Sequence, residues 1–454
     1  MTLCFHNTLK HSQDTMSAES IAKAANAAFS SLKTLTNEQR SSALQKIHDA
    51  LLKNKDKVLE SNKIDMDNAK SNKLSSSLIK RLDLSNPGKY DSMLQGILDV
   101  ANLPDPMGKI TLAKKLDDGL NLYRVTAPIG VLLIIFESRP EVIANITALA
   151  IKSGNSAILK GGKESYQTFK VMSDIVNETL KDETDVPGDA IQLIQSREDV
   201  AGLLDQDKYI DLVIPRGSNE LVRNIKSNTK IPVLGHADGI CSIYVDQEFD
   251  MNKAKRIIVD SKTNYPAGCN AVEQLLLNSK IPENDIKELL NILIAAKVTV
   301  HVTPEIKKLL EPSEFVKDVE DDSFDKEYLS FDISVKLVDD VDAAIKHINE
   351  HSSKHTESII TENKENAEKF LKSIDSSGIY WNASTRFADG FRYGFGTEVG
   401  ISTNKIHARG PVGLEGLMSY QYQLRGDGHI VGEYVGGGGN KLFIHEDLPT
   451  DKII

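Results

Sequence analysis

From residue 129 onward, strand-sized apolar runs alternate with amphipathic helical stretches, and few folds accept that pattern. The spacing predicts strand 129–136, helix 141–153, strand 157–159, helix 164–179, strand 191–194, helix 197–204, strand 210–214, helix 219–226 and strand 231–234. A second series follows: strand 240–245, helix 252–260, strand 273–277, helix 283–295, strand 299–302, strand 333–337 and helix 341–350, with a charged, loop-like insertion at 311–326. Strands traded for helices in this way read as a doubly wound parallel sheet. The expected architecture is α/β with two such layers, the break falling near Asp246 to Lys253.

Ahead of this lies an amphipathic helical region from Ser17 to about Asn102, with Ile21, Ala24, Ala28 and Leu32 at helix spacing. Between the two, Leu112 to Tyr123 holds Asp118-Gly119 between short apolar runs, a hairpin signal. Residues 1–16 carry no apolar signal core and no Arg, so they read as a disordered leader, with Met16 as an alternative start. At 454 residues the chain exceeds one ordinary core. Its net charge of -11, with no basic stripe among aromatics, argues against a nucleic-acid partner. Three cysteines, Cys4, Cys241 and Cys269, make neither a disulfide framework nor a spaced metal pair. No apolar run reaches the roughly 18 residues needed to cross a bilayer, so a soluble cytoplasmic protein without a membrane partner is expected.

One of those cysteines sits in a distinctive bend, Asn264-Tyr265-Pro266-Ala267-Gly268-Cys269-Asn270-Ala271. A Pro/Gly bend can lift a side chain clear of regular structure and aim backbone N–H groups at one point. A thiolate there can attack a carbonyl while the donors hold the oxyanion. A buried structural cysteine after a turn accounts for the same local sequence. Glycines crowd the chain from Gly378 onward, and the segment through Gly396 carries Trp381, the only tryptophan, which favours a ligand-lining loop over a linker. Gly436 to Gly439 is not followed by a helical pattern and reads as a flexible turn. No G-x-G-x-x-G follows a strand.

In this order, several blocks resemble the aldehyde dehydrogenase superfamily. They are Val125 to Val131, Phe136-Glu137-Ser138-Arg139-Pro140, Ile158 to Ser165, Ile214-Pro215-Arg216-Gly217-Ser218, Leu234 to Gly239, the Cys269 bend, Asn382 to Gly396, and Lys405 to Pro411. The likeness covers about residues 17–440. It implies a nicotinamide-binding domain over 17–248 that needs no glycine-rich fingerprint. The hairpin 110–124 would belong to an oligomerisation element, a thiol domain would cover 249–396, and 397–454 would return to the cofactor domain and end in an oligomerisation tail. Cofactor contacts map onto Lys160, Gly217, Ser218 and Glu327. A helix start at Gly217-Ser218 suits a diphosphate, and a Lys at a strand end suits a ribose or its 2′-phosphate.

Within the superfamily the resemblance is to the branch that reduces an acyl phosphate of glutamate. It implies NADPH/NADP as cofactor, Cys269 and Ser138 as catalytic residues, and Arg139, Arg386, Arg409 and Asn270 as substrate contacts. Hydrolysing members carry a water-activating Glu where this chain has Val233, and Ser138 stands where many place an amide donor. That departure counts against a simple aldehyde-to-acid oxidase. His236 could serve proton traffic or simply structure a loop. A homo-oligomer, dimer or tetramer, is implied; association with the upstream glutamate kinase, which would shield a labile acyl phosphate, is left open. A phosphate-independent dehydrogenase and a non-enzymatic scaffold are the alternatives.

Overall fold

A computed structural model describes residues 17–74, 76–137, 139–194 and 197–451. The leader and Ser138 lie outside the described residues.

Five helices open the chain: α1 (Ala18–Leu32), α2 (Asn37–Lys53), α3 (Lys55–Ser71), α4 (Ser76–Leu82) and α5 (Lys89–Asn102). Their starts follow local chemistry. The Ser17 hydroxyl accepts the Ser20 N–H at α1, and Thr36 with Gln39 forms a capping box at α2. The hairpin follows as β1 (Ile110–Asp117) and β2 (Leu120–Pro128), joined by Asp118-Gly119. Glycine suits the second turn position because its φ is +75°, where an L side chain is strained.

The first parallel sheet takes β3 (Val131–Phe136), β4 (Ser156–Lys160), β5 (Ile191–Ile194) and β6 (Leu212–Arg216), in the order β5-β4-β3-β6. Its crossovers are α6 (Val142–Ser153), α7 (Tyr166–Glu183) and α8 (Arg197–Leu204), and α9 (Asn219–Ser227) follows β6. β3 is buried at every position, as expected of a strand covered on both faces. One face packs Leu132, Ile134 and Phe136 against α2, α5, α6 and α7; the other packs Val131, Leu133 and Ile135 against Ile21, Ala22 and Ala25 of α1.

The second sheet is parallel throughout and has seven strands: β7 (Cys241–Val245), β8 (Val272–Asn278), β9 (Thr299–Val302), β10 (Val316–Asp318), β11 (Asp332–Val338), β12 (Thr356–Ile360) and β13 (Gly378–Trp381), ordered β10-β9-β11-β8-β7-β12-β13. Between β7 and β8 runs α10 (Met251–Thr263). After a two-stranded ribbon, β14 (Gly400–Ser402) and β15 (Gly410–Val412), the chain returns to the hairpin. There β16 (Met418–Arg425) pairs with β2 and β17 (Glu446–Asp447) with β1, giving an antiparallel sheet ordered β16-β2-β1-β17.

Three readings of the sequence need correction, and one stretch goes unread. The strand expected at 231–234 reduces to a single bridge between Val213 and Val233. The insertion 311–326 contributes the short edge strand β10. Residues 378–381 form a strand before the glycine-rich loop begins. The unread stretch holds β12 and the helix after it, 364–373, where the sequence shows no clear strand or helix signal. The reason is composition: β12 is Thr-Glu-Ser-Ile-Ile, fully buried, and its polar side chains are satisfied internally rather than by water.

Candidate active site

The C-terminal ends of β3 and β6 face the N-terminal ends of β7 and β8, and between them lies a cleft of about 670 Å³. Ligands of parallel α/β sheets bind outside the carboxyl ends of the strands.

Cys269 sits in this cleft, half-buried and free, on the turn between α10 and β8. Within that turn the Gly268 N–H donates to the Tyr265 carbonyl at 3.0 Å and the Ala271 N–H to the Gly268 carbonyl at 2.9 Å. The Cys269 N–H has no acceptor among the described residues, which leaves it available to an oxyanion. Two glycines allow the close packing. A Cβ on Gly268 would come 2.7 Å from Arg386 Nη1, and one on Gly239 would come 2.2 Å from the Cys269 carbonyl oxygen. Asn270 lines the cleft but faces away from solvent: its amide donates to the Ala388 carbonyl at 2.8 Å, tying the thiol turn to the Arg386 loop.

Guanidinium groups surround the thiol. Arg386 is 8% exposed, lies over the Tyr265 ring at 5.6 Å and donates from Nε to Asn264 Oδ1 at 3.4 Å. From the opposite wall come Arg139, just after β3, and Arg216, the last residue of β6. Burial and then the neighbouring Arg139 pull the Arg216 pKa down, while the Glu398 carboxylate and Cys269 pull it back up. Two like charges held together beside a thiol form a site suited to a multiply charged anion. Arg216 lies within Ile214 to Ser218, yet nothing in its spacing marks it; its position at the end of a buried strand is the available signal. Arg81, from α4, also reaches the cleft and donates to the Tyr265 hydroxyl at 3.1 Å. Arg409 is elsewhere: it donates to the Asp375 carbonyl at 3.0 Å and is not part of the cleft lining.

His236 lines the cleft with Nδ1 2.8 Å from the Ile401 carbonyl. A carbonyl can only accept, so Nδ1 carries the proton and Nε2 is left as an acceptor. Burial lowers its pKa and keeps the ring neutral.

The residues matched to cofactor contacts divide between the cleft and its edge. Ser218 caps α9 and Gly217 precedes it, both lining the cleft. Glu327 is held by the Asn219 amide at 3.1 Å, and burial raises its pKa. Lys160 ends β4 and donates to the Gly161 carbonyl at 2.5 Å, outside the cleft lining. A helix start beside the ends of a parallel sheet, with a hydroxyl cap and a nearby carboxylate, fits a dinucleotide. The Glu137 carboxylate now covers that helix start: its Oε2 accepts the Ser218 N–H.

This fold and thiol cleft are those of aldehyde dehydrogenases. The profile described as "Aldehyde dehydrogenase family" matches residues 8–307, and the chain belongs to that family. Among curated proteins, the gamma-glutamyl phosphate reductase of Saccharomyces cerevisiae is 60% identical over 448 residues, 95% of this chain and 98% of that protein. The probable gamma-glutamyl phosphate reductase of Schizosaccharomyces pombe is 52% identical over 446 residues, 96% of this chain and 99% of that one. The crystal structure of the Thermotoga maritima gamma-glutamyl phosphate reductase superposes with a TM-score of 0.88 at 37% identity, covering 91% of this chain and 100% of that one. Within the family, the chain falls among the gamma-glutamyl phosphate reductases.

Proposed function

We infer that this chain reduces L-glutamyl 5-phosphate to L-glutamate 5-semialdehyde with NADPH and releases phosphate, the second step of proline synthesis from glutamate. The observation that carries the site reading is the convergence of Arg139, Arg216 and Arg386 on the Cys269 cleft.

In this reading His236 Nε2 takes the thiol proton, directly or through one water, and the Cys269 thiolate attacks the γ-carbonyl carbon. The C–O bond to phosphate breaks with its electron pair, leaving a thioester on Cys269. Phosphate is a good leaving group, so no general acid is required at this point. The Cys269 N–H holds the oxyanion at both tetrahedral stages, and the Ser138 region is proposed as its second donor. NADPH, held at Gly217 and Ser218, would supply the hydride for the thioester. Collapse of the resulting hemithioacetal breaks the C–S bond, returns the thiolate and releases the aldehyde. Val233, where hydrolysing relatives carry a Glu, packs against the apolar face of the first sheet and offers no base to activate water.

Arg139 and Arg216 are proposed to bind the phosphate, with Arg386 and Arg81 on the α-carboxylate side and Asn270 holding the turn between them. Lys160, Gly217, Ser218 and Glu327 are proposed for the cofactor. A homo-oligomer, dimer or tetramer, is supported by the free edge of β16, which presents Tyr420, Tyr422 and Leu424 at 55–58% exposure.

The test runs the reaction backwards. Glutamate 5-semialdehyde and NADP are mixed with the protein, and NADPH absorbance is followed with and without inorganic phosphate. Phosphate-dependent reduction of NADP that disappears in Cys269→Ala is expected. Reduction indifferent to phosphate would mean a water-using dehydrogenase instead.

A further inference from the structure

Three side chains with ligand character meet at the thiol, and the reductive reaction uses only two of them. One ring nitrogen each of His236 and His355 and the Cys269 sulfur all lie within 4.8 Å of one another. They arrive from separate segments: the loop after the Val233 bridge, the residue preceding β12, and the turn preceding β8. The two imidazoles meet edge to face with centroids 4.9 Å apart.

His355 is the informative member. It is fully buried, and its Nε2 has no hydrogen-bond partner among the described residues. Its Nδ1 is engaged on the other side, 2.9 Å from Thr356 Oγ1 and 3.6 Å from Cys241 Sγ. A buried ring nitrogen left unpaired is destabilising unless a ligand or proton partner meets it. His236 has the complementary arrangement, with Nδ1 committed to the Ile401 carbonyl. An outer hydrogen bond of that kind fixes the ring and raises the basicity of the other nitrogen.

Two imidazoles and one thiolate suit a borderline-soft divalent cation, whereas magnesium and calcium require oxygen ligands. Tetrahedral zinc places such ligands ~3.3–3.6 Å apart, so a pair at the 4.8 Å limit must close by ~1.2–1.5 Å, within reach of side-chain torsions. Cys269 and His236 line the cleft, so water or a phosphate oxygen can reach a metal held there as the fourth ligand.

We propose that His236, Cys269 and His355 form a zinc-binding site that reversibly inhibits the enzyme by occupying the Cys269 thiolate. Binding expels the thiol proton to solvent and forms the S–Zn bond; no redox change and no other reactant is involved. The inference goes beyond the reductase reading, and its spectroscopic readout does not depend on turnover.

Co2+ serves as the optical probe and Zn2+ as the inhibitor, both added to the full chain freed of metal by chelator. One Co2+ per chain should bind with a sulfur-to-cobalt charge-transfer band that is lost in Cys269→Ser. Zn2+ should inhibit turnover, slow alkylation of Cys269 and be reversed by chelator. His355→Gln should weaken Zn2+ inhibition at least about tenfold while metal-free turnover persists. Equal Zn2+ inhibition in His355→Gln would overturn the site. If that variant does not fold, the wild-type Co2+ spectrum decides, and absence of the charge-transfer band overturns the proposal.

Discussion

Glu137 lies across the start of α9, where its Oε2 accepts the Ser218 N–H at 3.1 Å. A carboxylate there gains from the positive end of the helix, as a cofactor diphosphate would. A dinucleotide diphosphate seated there, as proposed above, would compete with Glu137 for one site. Removing the competitor should tighten the cofactor: Glu137→Ala is expected to lower the NADPH dissociation constant about twofold to fivefold, from the ~0.3–1 kcal/mol of such a contact. Fluorescence titration of NADPH measures it, and a weaker constant in the variant would mean that Glu137 helps to bind the cofactor.

The arginines separate by position. Arg216 shares the thiol cleft with Arg139, whereas Arg409 donates to the Asp375 carbonyl away from it. Arg216→Gln should raise the Michaelis constant for phosphate in the reverse reaction about tenfold or more, since a hydrogen bond to a charged group is worth roughly 1.5–3 kcal/mol. The constant for NADP should move much less. Arg409→Gln should leave the phosphate constant in place and lower the melting temperature instead. Steady-state kinetics on both variants would reveal a reversed pattern directly.

A buried ion pair joins α10 to β8, the two elements that flank the Cys269 turn. Lys262 Nζ and Glu273 Oε2 are 2.6 Å apart with both side chains fully buried, and Lys262 also donates to the Val272 carbonyl. Burial pushes the Lys262 pKa down and raises Glu273 to about 7. Lys262→Met strands the carboxylate and should destabilise the protein by about 3–5 kcal/mol at alkaline pH. The penalty should shrink on acidification, when Glu273 accepts a proton. Calorimetry of Lys262→Met and of the double variant with Glu273→Leu checks this, the double variant recovering much of the loss.

Glu357 gives the opposite pH signature from a paired surface acid. Burial raises its pKa to about 8, although its Oε2 accepts the Ser242 N–H at 2.7 Å and its Oε1 the Ser376 hydroxyl at 3.1 Å. Because the folded pKa lies above the unfolded one, the folded state binds the extra proton between about pH 4 and 8. Stability from this group is therefore present below that window and lost as pH rises through it. Glu357→Gln should melt close to wild type near pH 5 and above it near pH 8, by an amount on the order of 3 kcal/mol. Equal melting temperatures at both pH values would refute the assignment.

Much of the architecture was legible because its signals are local. The Asp118-Gly119 turn, the unbroken apolar run of β3 and the bend before Cys269 are each written within a few residues. β12 was not legible, because its buried Thr, Glu and Ser look solvent-facing until their partners are known. Val233 looked like part of a strand because Ile231, Val233 and Leu234 are apolar, but only one bridge forms there.

The sequence by itself determined that the chain builds parallel α/β layers and presents a cysteine on a bend, since helix and strand periodicity and turn chemistry act over short separations. Only the tertiary structure decided which charged groups reach that cysteine. Arg139 and Arg216 stand on one wall of the cleft and Arg386 on the other. His355, buried beside the thiol, comes from a segment whose sequence gives no hint of it. The physical reason is that electrostatic and ligand chemistry depends on distances across the cleft, and those distances are set by how two separately packed sheets meet.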